Sequence, residues 1–170
     1  MIILGIDPGT ATTGYGVIKI TRQNRKWVEK DKPQQLKCKA IQYGVIKTNP
    51  SSSPGERLKK IYNDLSKLIK KYKPTMLAVE NVYFFKNSKT AIPVSQAKGV
   101  IMLIAAKKKI PVYEVTPLQV KMAVVGYGKA EKKQVQEMIK ILLNLKEVPK
   151  PDDAADALAV ALCRGFLAGQ

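Results

Sequence analysis

MIILGIDPGTATTGYGVIKI (residues 1–20) carries the clearest folding signal in the chain. Its apolar run from Ile2 to Ile6 ends at Asp7, and Pro8-Gly9 then favours a turn. Residues 14–20 restore the strand pattern. The segment therefore predicts a β-hairpin with a threonine-rich connection and a carboxylate at the end of its first strand.

Polar residues follow the hairpin. Thr21–Gln35 carries charges of both signs and is interpreted as either an extended hairpin tip or a flexible loop, and the strand pattern returns at residues 40–46. A helix is predicted to begin at Ser53-Pro54-Gly55-Glu56, which has the arrangement of a capping box. Apolar residues then recur at the helical period while most lysines lie outside that stripe, so one face should pack and the other should be basic.

The rest of the chain alternates strands and helices. The predicted elements are a strand at residues 75–79 ending at Glu80, a helix at 88–107, a strand at 111–115, helices starting at Thr116-Pro117 and Ala130-Glu131 around a Gly126-Tyr127-Gly128 turn, and a last helix at 152–167. This order predicts an α/β protein with a mixed sheet covered by helices. Its length suits a single domain over residues 1–170.

The charge balance points to a polyanionic partner. The chain has 30 lysines and arginines against 13 aspartates and glutamates, a formal net charge of +17. Lysine-rich faces that only interact with solvent are the alternative, but heat-adapted proteins usually gain glutamate together with lysine. The shortage of acids therefore favours nucleic acid as the partner.

Several classes of chemistry are excluded by the residue inventory. The chain contains no histidine, which removes Ser-His-Asp and Cys-His triads, histidine-ligated zinc and an imidazole base. Cys38 and Cys163 are far apart in sequence and are expected to be buried free thiols. No secretion signal is expected at the N-terminus, and the longest apolar run, residues 100–106, is too short to span a bilayer. We expect a soluble, cytoplasmic protein with no membrane partner.

Acidic residues occur where the predicted elements end or begin. Asp7 and Glu80 each follow an apolar strand, and their carboxylates would lie together if those strands are neighbours. Asp152, Asp153 and Asp156 open the last helix, and either of the first two shares a face with Asp156. Asp152 is interpreted as the helix N-cap and left out of the site. Spacing alone does not choose between Asp152 and Asp153.

A convergence of such acids would require cations. Several carboxylates repel one another, whereas Mg²⁺ and Mn²⁺ are suited to oxygen ligands. Two such ions can activate a water and stabilise the leaving oxygen in phosphodiester hydrolysis without any histidine. Metal-dependent hydrolysis of a nucleic acid therefore fits the residue inventory, provided that the acids converge.

Several motifs, in order along nearly the whole chain, resemble the RuvC-type Holliday junction resolvases. They are GIDPGT at 5–10, GYGV at 14–17, AVEN at 78–81, KNS at 86–88, QAKG at 96–99, VVGYG at 124–128, AEKKQV at 130–135 and DAADALA at 153–159. The resemblance implies an RNase H-like fold, with a mixed five-stranded sheet flanked by helices. The implied activity is paired cleavage of opposing strands of four-way DNA junctions during recombination and repair.

The resemblance also implies a site and partners. It assigns catalysis and metal binding to Asp7, Glu80, Asp153 and Asp156, and so favours Asp153 over Asp152. The implied cofactor is Mg²⁺, with Mn²⁺ as a substitute and two ions per active site. The implied partners are four-way junction DNA, a second copy of the chain in a two-fold dimer, and the branch-migration proteins RuvA and RuvB.

Three residues resemble positions that the family uses to bind nucleic acid. Tyr83 matches an aromatic that stacks on bases near the crossover, although residues 83–85 alone would suggest core packing. Lys121 and Lys132 match basic positions near the site, although isolated lysines are usually solvated. The chain departs from the family in its longer segment at Thr21–Gln35, in Tyr83 replacing the commoner phenylalanine, and in Pro93, which is expected to interrupt a helix around the dimer interface.

Three other functions compete with this interpretation. Residues 5–17 alone also suit the phosphate-binding loop of an actin-like sugar kinase or ATPase, but 170 residues supply one lobe where such kinases need two, and Asp153 and Asp156 stay unexplained. An RNase H-like nuclease acting on another structured nucleic acid, including RNA, is the second. A non-catalytic junction-binding module is the third.

Overall fold

A computed structural model describes residues 1–22, 36–81 and 88–168 of the chain. Within these ranges, the chain forms five strands and five helices. In chain order they are β1 (Ile2–Asp7), β2 (Thr12–Arg22), β3 (Leu36–Lys47), α1 (Pro54–Tyr72), β4 (Met76–Glu80), α2 (Ser88–Lys108), β5 (Val112–Val115), α3 (Pro117–Val125), α4 (Lys132–Leu142) and α5 (Asp152–Leu167).

The strands form one mixed sheet in the order β3-β2-β1-β4-β5. The pairs β1/β2 and β2/β3 are antiparallel, whereas β1/β4 and β4/β5 are parallel. The central strands β1 and β4 are buried over most of their length, which explains why each reads as an almost continuous apolar run. The predicted hairpin and the predicted mixed five-stranded sheet are both confirmed.

Helices cover both faces of the sheet and enclose two separate cores. Ile6 and Val79 pack towards α1 and α2, whereas Ile3 and Ala78 pack towards α3, α4 and α5. Successive strand residues point to opposite faces. The residues that end β1 and β4 therefore project towards the α5 side.

Capping signals in the sequence correctly predicted where two of the helices begin. Ser53 caps α1 and forms the predicted capping box with Glu56, and Thr116 caps α3 in the same way. The strands β2 and β3 extend beyond the predicted residues 14–20 and 40–46. Most of Thr21–Gln35 lies outside the described residues, so the interpretation of that segment stays a prediction.

The expectation that Pro93 interrupts its helix is wrong. Helix α2 runs without a break from Ser88 to Lys108 and contains Pro93. Proline removes a single backbone hydrogen bond at this position, close to the helix start, and the many remaining turns of a 21-residue helix hold it together.

Two further predictions concern the thiols and the membrane. Cys38 and Cys163 are both free, as expected, but only Cys163 is fully buried. Burial raises the pKa of Cys163 to about 11. Among the described residues, no helix has the length and apolar character needed to cross a bilayer.

Candidate active site

Two carboxylates lie at neighbouring strand ends. Asp7 is the last residue of β1 and Glu80 the last residue of β4. The two strands are parallel neighbours, with Ile6 paired to Val79 one residue before each acid. The condition set by the sequence, that these two strands are neighbours, is therefore met, and both side chains project towards the α5 face of the sheet.

Helix α5 packs closely against the sheet near these strand ends, because the strand residues that it contacts include glycines. A Cβ on Gly5 would collide with the carbonyl oxygen of Ala157, and a Cβ on Gly14 would collide with that of Asp153. Gly14 is also the residue on β2 that pairs with Asp7. The start of α5 is therefore pressed against the strand beside Asp7, which brings Asp153 to the same edge.

The electrostatics of Asp7 show that the acids are close to one another. Burial, then the charges of Glu80, Asp156 and Asp153, raise the pKa of Asp7 from 3.8 to about 7, with Lys132 opposing them. Burial, followed by the charge of Asp156, also raises the pKa of Glu80. The four acids named by the family resemblance thus form one electrostatically coupled group, which disfavours full ionisation without a cation.

Lys132, the first residue of α4, partly neutralises this group. Its ammonium nitrogen lies 3.0 Å from Asp156 Oδ2 and 3.2 Å from Asp152 Oδ2. Burial alone would lower the pKa of Lys132, but the bonds to Asp156 and Asp152 outweigh it and raise that pKa. Burial raises the pKa of Asp156 in spite of this lysine.

A cleft of about 200 Å³ opens beside the acids. Glu80 and Asp156 line it together with Lys121 of α3 and Lys132. Both lysines matched by the family resemblance therefore lie next to the carboxylates. Tyr83, the third such residue, lies outside the described residues.

The donor set suits a hard divalent cation, since all four groups are carboxylates. Within residues 1–22, 36–81 and 88–168, however, no three acidic or cysteine side chains converge tightly enough to hold one ion as they stand. Lys132 contacts Asp156 at hydrogen-bond distance. Ligation by the whole group therefore requires the carboxylates to turn towards one another.

The interpretation of Asp152 as an N-cap is wrong. Pro151 occupies the N-cap position of α5, and Asp152 is the first helical residue. Its carboxylate instead accepts a hydrogen bond of 3.0 Å from Gln136 and forms the ion pair with Lys132. These bonds lower the pKa of Asp152. Its side chain is 65% exposed, against 33% for Asp156, the other partner of Lys132.

Lys98 is a site-adjacent residue that sequence reasoning missed. From α2 it donates to Glu114 Oε2 at 2.7 Å and to Asn81 Oδ1 at 3.2 Å. Asn81 directly follows Glu80, and its backbone N–H donates to the carbonyl of Val115. Lys98 therefore ties the residue after Glu80 to β5. Its place in the QAKG motif at 96–99 was the available signal.

Comparisons with known proteins agree with this geometry. A family model described as crossover junction endodeoxyribonuclease RuvC matches residues 3–164. The crossover junction endodeoxyribonuclease RuvC of Alkaliphilus metalliredigens is 54% identical over 163 residues, covering 96% of this chain and 92% of the relative. That of Desulforamulus reducens is 52% identical over 163 residues, with the same coverage of 96% and 92%.

Solved structures give the same result. The structure of Thermus thermophilus RuvC superposes with a TM-score of 0.87 at 34% identity, covering 99% of this chain and 95% of that one. The same protein in complex with a Holliday junction substrate gives a TM-score of 0.86 at 33% identity, covering 99% and 94%. The RNase H-like architecture expected from the sequence is confirmed. Nucleases of this family depend on metal ions. The chain therefore belongs to the RuvC family of crossover junction endodeoxyribonucleases.

Proposed function

We propose that residues 1–170 act as one nuclease domain that resolves four-way DNA junctions by hydrolysing phosphodiesters on opposing strands, during recombination and repair in the cytoplasm. The observation that carries the proposal is the coupled group of Asp7, Glu80, Asp153 and Asp156 beside a cleft with two lysines. Acids without the lysines would repel a phosphate backbone. Lysines without the acids would bind DNA but leave it uncut.

Mg²⁺ is the cofactor that this donor set favours, with Mn²⁺ as a substitute and two ions per site. We propose Asp7, Glu80, Asp153 and Asp156 as its ligands, because they are the half-buried carboxylates at these strand and helix ends, whereas Asp152 is exposed. When bound, such ions supply an activated water and stabilise the leaving oxygen. Lys121 and Lys132 line the same cleft, where their ammonium groups can hold the scissile phosphate and offset its charge. Tyr83 is proposed to stack on bases near the crossover.

Cleavage of opposing strands needs two equivalent sites, which a two-fold dimer provides. Helix α2 carries a stripe of exposed residues suited to that contact. Ile92, Met102 and Leu103 are 69%, 39% and 55% exposed, and the exposed Gly99 on the same stripe allows close helix packing. We propose that a second copy of the chain packs on this stripe. Cooperation with RuvA and RuvB is proposed on the family relationship alone.

The test is cleavage of a synthetic four-way junction with Mg²⁺, beside linear duplex DNA and structured RNA. We expect the wild type to nick opposing junction strands and leave the other substrates intact. Asp153→Asn should bind the junction but lose cutting by at least about 100-fold, since it removes a charged ligand. Asp152→Asn is the matched control and should retain most activity, because that exposed side chain lies outside the proposed ligand set. Equal loss in both variants would contradict the assignment.

A further inference from the structure

A second basic surface lies on the other face of the sheet, between β3 and α1. It is a groove of about 320 Å³, which we call the lysine groove. Its charged lining consists of Lys47, Lys60, Lys67, Lys71 and Asp64. The mechanism proposed above uses none of these residues.

The lysines are aligned along one direction. Lys60, Lys67 and Lys71 are separated by seven and four residues, spacings that keep them on one face of α1. They span roughly 16 Å at the rise of an α-helix. Lys47 pairs with Thr12, two residues before the Gly14 that pairs with Asp7. The groove therefore starts at the sheet edge that carries the acids and runs away from it.

The charge in the groove is only partly balanced. Asp64 accepts from Lys60 at 2.7 Å and from Lys67 at 3.1 Å, so one carboxylate serves two lysines of a set of four. Those two lysine side chains are 51% and 78% exposed. Exposed ion pairs of this kind are weak, so a phosphate can replace Asp64 as the partner at little cost. A row of exposed ammonium groups along an open groove matches a polyanion backbone.

We propose that the lysine groove binds the sugar–phosphate backbone of a junction arm beyond the cleavage site. This inference rests on the proposed function, since it extends the same substrate past the acids. From the start of α1 to Lys71 is a distance of roughly 25 Å at the helical rise. That corresponds to about 7 base pairs of duplex. Only arms longer than this reach the distal lysines.

The test compares binding of two four-way junctions, one with arms of about 20 base pairs and one with arms of about 5 base pairs closed by hairpin loops. The double variant Lys67→Gln/Lys71→Gln removes two distal charges. The matched control Lys140→Gln/Lys146→Gln removes one charge from the last turn of α4 and one from the segment that follows it. Dissociation constants are measured for wild type and both variants across a salt series, with Mg²⁺ replaced by Ca²⁺ to prevent cutting.

On long arms, we expect the groove variant to bind up to about 30-fold more weakly at ~0.15 M salt, with a salt slope less steep by about 2. On short arms it should bind as the wild type does, and the control should match the wild type on both. The inference would be overturned if the groove variant kept the wild-type salt slope on long arms. It would also be overturned if the groove variant lost as much affinity on short arms as on long arms, or if the control lost as much affinity as the groove variant. Cutting of the long-armed junction by the wild-type protein in Mg²⁺ is scored separately, and failure to cut it would refute the proposed function instead.

Discussion

Replacing Asp7 by asparagine should stabilise the fold at pH 8 in the presence of EDTA. Burial and three neighbouring acids raise the pKa of Asp7 from 3.8 to about 7. The folded chain therefore holds this proton more tightly than the unfolded chain does. The resulting stabilisation is fully present below about pH 4 and is lost as the pH rises through 7.

The size of the effect follows from the pKa shift. A shift of about 3 units corresponds to roughly 4 kcal/mol between the two limits, at about 1.4 kcal/mol per unit. Asparagine must still bury an amide at this position, which offsets part of the gain. We expect Asp7→Asn to gain about 2 kcal/mol at pH 8, or roughly 4 to 8 °C in Tm for a chain of this size. The gain should shrink to about 0.5 kcal/mol or less at pH 4, where little of the difference in ionisation remains.

Denaturant unfolding in EDTA at pH 4 and pH 8 measures this directly. Asp64→Asn is the control, because the bonds from Lys60 and Lys67 lower the pKa of Asp64, so its loss should leave stability unchanged or slightly lower at pH 8. Mg²⁺ should then stabilise the wild type at pH 8 and have little effect on Asp7→Asn, since ligand binding to the folded state adds stability. An Asp7→Asn protein that is no more stable than the wild type at pH 8, or that gains equally at both pH values, would show that ionisation of Asp7 does not destabilise the fold.

Two further predictions concern the supports of the site. Gly14→Ala should destabilise the fold by about 1 to 3 kcal/mol and reduce junction cutting, because the added Cβ would meet the backbone of Asp153. An alanine variant with wild-type unfolding and cutting would show that neither stability nor activity needs this close approach. Lys98→Met keeps the aliphatic stem but removes the bonds to Asn81 and Glu114, and should cost about 1 kcal/mol in urea unfolding. A double variant with Glu114→Gln should then lose little more, whereas additive losses would mean that the two residues act independently.

Much of the site could be predicted from local signals. The apolar runs that end at Asp7 and Glu80 identified two strands, although only the structure shows that these strands pair as parallel neighbours. Capping signals at Ser53 and Thr116 located two helix starts to the residue. These signals are reliable because each depends on interactions between residues that are close in sequence.

Other features could not be obtained in this way. Helical spacing allowed either Asp152 or Asp153 beside Asp156, because the choice depends on where α5 rests on the sheet. Glycine at position 14 permits the close approach of the Asp153 backbone in that position, and these two residues are distant in sequence. The N-cap interpretation of Asp152 failed because the N-cap position falls one residue earlier, at Pro151, and the carboxylate of Asp152 pairs with Lys132 on another helix.

Binding of Mn²⁺ to the purified chain, titrated in the absence of DNA, tests most directly whether the four acids share cations. We predict that the wild type and Asp152→Asn bind two ions per chain and that Asp153→Asn has lost at least one of them. Binding by Asp153→Asn that matches the wild type in number and affinity would contradict it.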